Sequence, residues 1–241
     1  MKLVSFKLTG RFGHFMRAEG GASALSYPCP PRTAILGILG AILGLPKDQP
    51  QVLLEPAYVA LRGKLPQTHW HRAKLRKDPP EALSYTIKKT QKMKKTTAEE
   101  KATLIPQEWL FNPEYNVWFS VPTPHLNELE QRIKDRRWHF QPSLGLSEML
   151  ADLEYIKTEE PQPLPEGKYM VTSALLQKEV DLDWDRIFEE ELVIHSLRMP
   201  RTVTPDRVFT HASYFLEREA RPIPVRTAKA FQTSNGIIMF L

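Results

Sequence analysis

The chain has 241 residues, 41% hydrophobic and 25% charged, with 33 lysines and arginines against 28 aspartates and glutamates and a formal net charge of +5. That composition supports one sizeable core or two small ones and excludes a globally disordered chain. The single Cys29 excludes an internal disulfide and a cysteine-based zinc cluster, and the opening "MKLVSFKLTGRFG" lacks the apolar core of a secretory signal, which places the chain in the cytoplasm.

Val4, Phe6 and Leu8 alternate with Ser5, Lys7 and Thr9, the pattern of a half-buried strand. Next comes "YPCPPRTAILGILGAILGLP", Tyr27 to Pro46. Its apolar run from Pro31 to Leu43 is far short of the roughly 20 residues that cross a bilayer, so it predicts a buried helix, with prolines at its start and Gly44 and Pro46 at its end. On that helix Thr33, Gly37, Gly40, Ala41 and Gly44 share one stripe, opposite Ile35, Leu39 and Ile42. Each glycine costs ~1 kcal/mol relative to alanine, so the stripe predicts a close backbone approach. Packing on the protein's own sheet is one reading, and contact with a partner subunit or a nucleic-acid backbone is the other. Arg32 opens the helix, either adding charge where the helix dipole favours an anion or pairing with a carboxylate.

"VLLEPAYVALRGKL", Val52 to Leu65, predicts a second strand. A basic insert follows, residues 69–105. Between Arg72 and Lys101 ten basic residues face four acidic ones, a local +6 that leaves the rest of the chain at −1. Such a segment neutralises phosphates and releases counterions, while Trp70, His71 and Tyr85 stack on splayed bases. The candidate contacts are Trp70, His71, Arg72, Lys74, Arg76, Lys77, Lys88, Lys89, Lys92, Lys94 and Lys95. The alternative is a solvated loop without a ligand.

Tyr115, Val117, Phe119 and Val121 alternate as a third strand, "HLNELEQRIKDRR" has helical spacing, and "EMLADLEYIK" closes the set as a fourth strand. The order βαββαβ predicts an α+β, ferredoxin-like domain over residues 1–160. A proline-rich joint, "PQPLPEG", opens a smaller β-rich part over residues 161–241.

Motifs of catalysis and metal binding are sparse. His69 and His71 lack a nearby third ligand, and "DLDWD" fails as a calcium loop because Arg186 and Leu192 stand at its sixth and twelfth positions. Asp183 or Asp185 instead suits the cap of the helix that follows. No phosphate loop, dinucleotide fingerprint or nucleophile elbow is present, and neither a metal nor a cofactor is expected.

"GRFGHFMR", "SYPCPPRTAILGILGAILGL", "EWLFNPEYNVWFSV" and "PSLGLSEMLADLEYI" occur in the order and spacing of the Cas-five family of CRISPR immunity, within the RAMP superfamily. The chain resembles the type I-B branch over most of its first 157 residues, and its C-terminal third matches loosely. The resemblance implies a non-catalytic subunit of a Cascade ribonucleoprotein in antiviral defence. Such a subunit holds the 5′ handle of the crRNA, contacts the backbone and large subunits, and meets target DNA only through the complex, with no membrane involved. It implies that the basic insert is a projecting thumb. It also implies handle contacts by Arg11, His14 and Arg17 and by Ser143, Gly145 and Ser147, the last three as small residues that admit phosphate to the backbone. A type I-C branch of the family cleaves precursor crRNA without metal through Tyr, Lys and His side chains. For that alternative His14, Lys74 and Tyr27 are the candidates here. A DNA-binding or ribosome-associated basic protein accounts for the insert but not for the four ordered motifs.

Overall fold

The computed structural model describes residues 1–17, 23–76 and 102–241. Its first part runs β1 (Leu3–Thr9), α1 (Arg32–Leu43), α2 (Pro50–Leu53), β2 (Tyr58–Arg62), β3 (Gln67–Arg76), β4 (Ala102–Phe111), β5 (Glu114–Ser120), α3 (His125–Lys134) and β6 (Asp152–Glu159). Four of these strands form an antiparallel sheet in the order β2, β5, β1, β6. β1 is central because both its edges are paired: Leu8 lies opposite Tyr115 on β5 and Leu153 on β6.

The alternation read in β1 decides which face each side chain takes. Val4, Phe6 and Leu8 join Val117 and Phe119 in the main core, beneath Ile35, Leu39 and Ile42 of α1 and Leu126, Leu129 and Ile133 of α3. Leu3, Ala60 and Trp118 point the other way and are covered by Ile238, Phe231 and Phe240 near the C-terminus. Much of the sheet is therefore covered on both faces.

α1 ends as expected, on Gly44 at φ 81° with the Leu45 N–H bonded to the Gly40 carbonyl at 2.9 Å. The glycine stripe does not pack on the sheet. A Cβ at Gly40 would come within 2.2 Å of Pro50 Cγ, so that glycine admits α2. Gly37 has nothing within 4 Å and lies open in a groove of about 700 Å³ beside Met16, Tyr27, Phe140 and Phe209. The single strand expected over 52–65 is also corrected. Val52 and Leu53 belong to α2, and only Tyr58–Arg62 is strand, because Pro56 has no N–H to give a ladder.

The C-terminal part contains β7 (Gly167–Val171), α4 (Trp184–Glu189), β8 (Ile194–Val203), β9 (Phe209–Glu217), β10 (Ile223–Thr227), β11 (Phe231–Thr233) and β12 (Gly236–Ile238). β7 pairs antiparallel with β10 and parallel with β12, while β8 and β9 form a long hairpin. Val171, Leu175, Ile187, Ile223 and Val225 make a second core cluster. Met199, Tyr214, Leu216 and Leu241 join the main core. There the Met199 sulfur lies 3.7 Å from Cys29 Sγ, and burial pushes the Cys29 thiol up to about 12. The whole is a strand-rich α+β fold.

Candidate nucleic-acid interface

Between β2 and β5 the chain leaves the sheet as an antiparallel ribbon of β3 and β4, in register from Gln67 opposite Phe111 to Arg76 opposite Ala102. Ten residues of strand make this ribbon roughly 30 Å long. Its foot is tied down by Phe12 and Gly13, which pair with Phe111 and Leu110, and by Ala24, which bridges to Gln107. The ribbon begins earlier and ends later than residues 69–105.

Strand alternation divides its side chains between two faces. One carries Trp70, 52% exposed, with exposed Arg72 and Lys74; Leu104, opposite Lys74, is 61% exposed. The other carries His69, His71, Trp109 and Phe111. Here His71 stacks on Trp109 with centroids 4.1 Å apart, and Phe12 follows at 5.3 Å from Trp109 and 5.9 Å from Phe111. Exposed Arg11 closes the row, its guanidinium carbon 5.6 Å from the Phe12 centroid. The Trp109 Nε1–H donates to Gln107 Oε1 at 3.1 Å, which fixes the indole. Aromatic planes ending on a cation suit stacked bases and the phosphates that link them.

The structure therefore sets Arg11 and His71 at the two ends of one aromatic row and Trp70, Arg72 and Lys74 on the opposite face. Sequence reading missed Phe12, Trp109 and Phe111. "EWLF" lies within one of the four motifs, but only the hairpin register puts Trp109 beside His71. Arg76 is the last residue of β3, and Lys77, Lys88, Lys89, Lys92, Lys94 and Lys95 lie outside the described residues.

Three other candidates are corrected. His14 is 2% exposed, with Nδ1 bonded to the Glu108 carbonyl at 2.8 Å, so its ring is committed inside the protein and is not an exposed handle contact. Gly145, at φ 99°, uses its missing side chain inside the protein: a Cβ there would meet the His14 carbonyl oxygen at 1.8 Å, where a phosphate was expected. Arg32 is 6% exposed and engaged inside the protein. Its two Nη atoms reach Glu55 Oε1 and Oε2 at 2.6 and 2.9 Å, the Ala57 carbonyl at 2.7 Å and the Arg201 carbonyl at 3.2 Å. Burial pushes the Glu55 carboxyl up, but bonds from Arg32 and the Ala57 N–H, with the charges of Arg32 and Arg201, hold it below the usual range.

Arg17 is half-committed, donating from Nε to the Ser26 carbonyl at 2.9 Å and lying 5.2 Å over the Tyr27 ring. Ser143 bridges to Leu150, and exposed Ser147 donates to its neighbour Glu148 at 3.2 Å. Asp183 caps α4 by accepting the Arg186 N–H. Among the described residues no group of three His, Cys, Asp or Glu side chains is placed to hold a metal, and no helix is long and apolar enough to cross a membrane.

A family model described as CRISPR-associated protein (Cas_Cas5) matches residues 3–208, most of the chain. The chain belongs to this family. No curated protein matches the Cas_Cas5 chain in sequence. Among solved structures, a CRISPR protein from Archaeoglobus fulgidus matches at a TM-score of 0.57 with 10% identity, covering 100% of this chain and 99% of that one. A chain of a CRISPR RNA-guided surveillance complex matches at 0.53 with 12% identity, covering 92% and 91%. At such identities both likenesses show the fold alone.

Proposed function

We propose that this Cas_Cas5 protein is a non-catalytic, RNA-binding subunit of a type I Cascade complex, of the I-B kind, which holds the 5′ handle of the crRNA in the cytoplasm and contacts the backbone and large subunits. The observation that carries the reading is the ribbon, which displays a stacked aromatic row ending on Arg11 and, on its other face, Trp70 with Arg72 and Lys74. Its residues suit a splayed, single-stranded RNA bound by backbone charge and stacking. The four-stranded sheet with α1 and α3 is read as the ferredoxin-like core of residues 1–160, with residues 161–241 as the accessory part.

The reading without catalysis is supported by burial. His14 and Tyr27, two of the three candidates of the endoribonuclease alternative, are each 2% exposed, while the third, Lys74, stands exposed on the ribbon. The test is incubation of the purified protein with its own repeat RNA and with mature crRNA. The expected result is intact repeat RNA in magnesium and in EDTA, and tighter binding of crRNA with the handle than without it. Specific cleavage within the repeat overturns the reading.

A further inference from the structure

In the C-terminal part, α4 presents its side chains in an unusual arrangement. Ile187 is buried in the second core cluster, but Trp184 and Phe188, one turn apart, are 51% and 74% exposed with their rings 6.1 Å from each other. An isolated exposed apolar residue is ordinary, whereas a touching aromatic pair leaves a large apolar surface in water. The pair is also held firmly. Asp183 caps one end of the helix, and at the other Arg221 donates to the carbonyls of Glu190 and Glu191 at 3.1 and 2.7 Å. Arg221 is in turn gripped by Glu217, itself only 4% exposed. A surface fixed before binding loses little entropy when a partner arrives.

Charge identifies that partner. Residues 179–191 hold seven acidic side chains and one basic one, Arg186, which pairs with Glu190 at 2.7 Å. Lys168 and Arg226 stand at the edge of the shallow cleft beside Trp184, engaged with Asp183 and Glu166. Among the described residues no ion pair reaches Asp181, Asp185, Glu189 or Glu191. A nucleic acid is repelled by such a rim. A guanidinium or ammonium gains carboxylate partners and the Trp184 face together.

We infer that the outward face of α4 is a docking surface for a protein that presents lysine or arginine beside apolar side chains. The inference goes beyond RNA binding, and its test takes from the proposed function only the co-encoded CRISPR proteins. Two exposed-face variants are made, Trp184→Ser with Phe188→Ser, and Asp185→Lys with Glu189→Lys. Each is co-expressed with those proteins, purified through this chain and weighed by native mass spectrometry. Wild type should carry a protein neighbour whose lysines are joined to Asp185 or Glu189 by a zero-length carbodiimide cross-link. Both variants should melt as wild type does, keep RNA and lose that neighbour, with an affinity loss of roughly thirtyfold or more. Retention of every protein by the variants, absence of those cross-links, or loss of RNA in place of protein overturns the inference, as does a wild-type chain that gathers no protein. A wild-type chain that holds the protein neighbour but no RNA would sink the proposed function and leave this inference standing.

Discussion

The ribbon and α4 both put aromatic side chains into solvent, in stretches of sequence that carry opposite charge. Residues 72–101 sum to +6 and residues 179–191 to −6. Aromatic exposure alone says that something binds; the charge around it decides what class of molecule does. On the ribbon the aromatics are spaced along a strand pair and end on Arg11, an arrangement that suits stacked bases with their phosphates against cations. On α4 the two rings form one compact knob within an acidic run of the chain, which suits a protein surface.

The contrast is broken most severely by removing the ribbon's cations. Changing Arg11, Arg72 and Lys74 together to glutamine should lower RNA affinity on the order of a hundredfold and make the slope of log K against log salt shallower by about 2, since each phosphate contact on a single strand contributes about 0.7. The melting temperature should hardly move, because these side chains are exposed. A filter-binding series from low to high salt checks both, and an unchanged slope would mean that the charge serves something other than RNA.

A smaller effect is expected from the stacking face. Trp109→Ala should weaken RNA binding roughly tenfold, within the ~1–3 kcal/mol of one stacked base, and should leave the salt slope intact. The pairing of a shifted affinity with an unshifted slope separates stacking from charge.

No effect on RNA binding is expected from the cation that the protein uses internally. Glu55→Ala strands the buried Arg32 guanidinium and should cost about 3 kcal/mol of stability by denaturant titration. RNA affinity of the folded fraction should stay as in wild type. A loss of affinity there would return Arg32 to the interface.

The two glycines of α1 sharpen the same distinction between inward and outward surfaces. Gly37→Ala meets open space and should gain up to ~1 kcal/mol of helix stability, whereas Gly40→Ala pushes Pro50 away and should lose roughly 1 kcal/mol or more. Thermal melts of the pair decide it.

Much of the core was legible because its signals are local. The alternation in β1 and β5, the 3.6-residue spacing in α3 and the glycine stop at Gly44 each report a short-range preference that packing then obeys. What stayed hidden depends on partners distant in sequence. Arg32 finds Glu55 twenty-three residues on and the Arg201 carbonyl much farther away. Trp109 reaches His71 only through the register of a hairpin whose two strands are separated by a long insert. Gly145 and His14 were both expected at a ligand. Gly145 spends its missing side chain on the His14 carbonyl and His14 its ring nitrogen on the Glu108 carbonyl, choices made in three dimensions.

RNA is proposed to lie along the ribbon. Photo-cross-linking of the purified protein to a crRNA carrying 4-thiouridine in its handle, with the joined peptides mapped by mass spectrometry, tests it most directly. Cross-links are expected at Phe12, His71 or Trp109, abolished by excess unlabelled crRNA. Cross-links confined to the groove beside Gly37, or to Trp184 and Phe188, would contradict it.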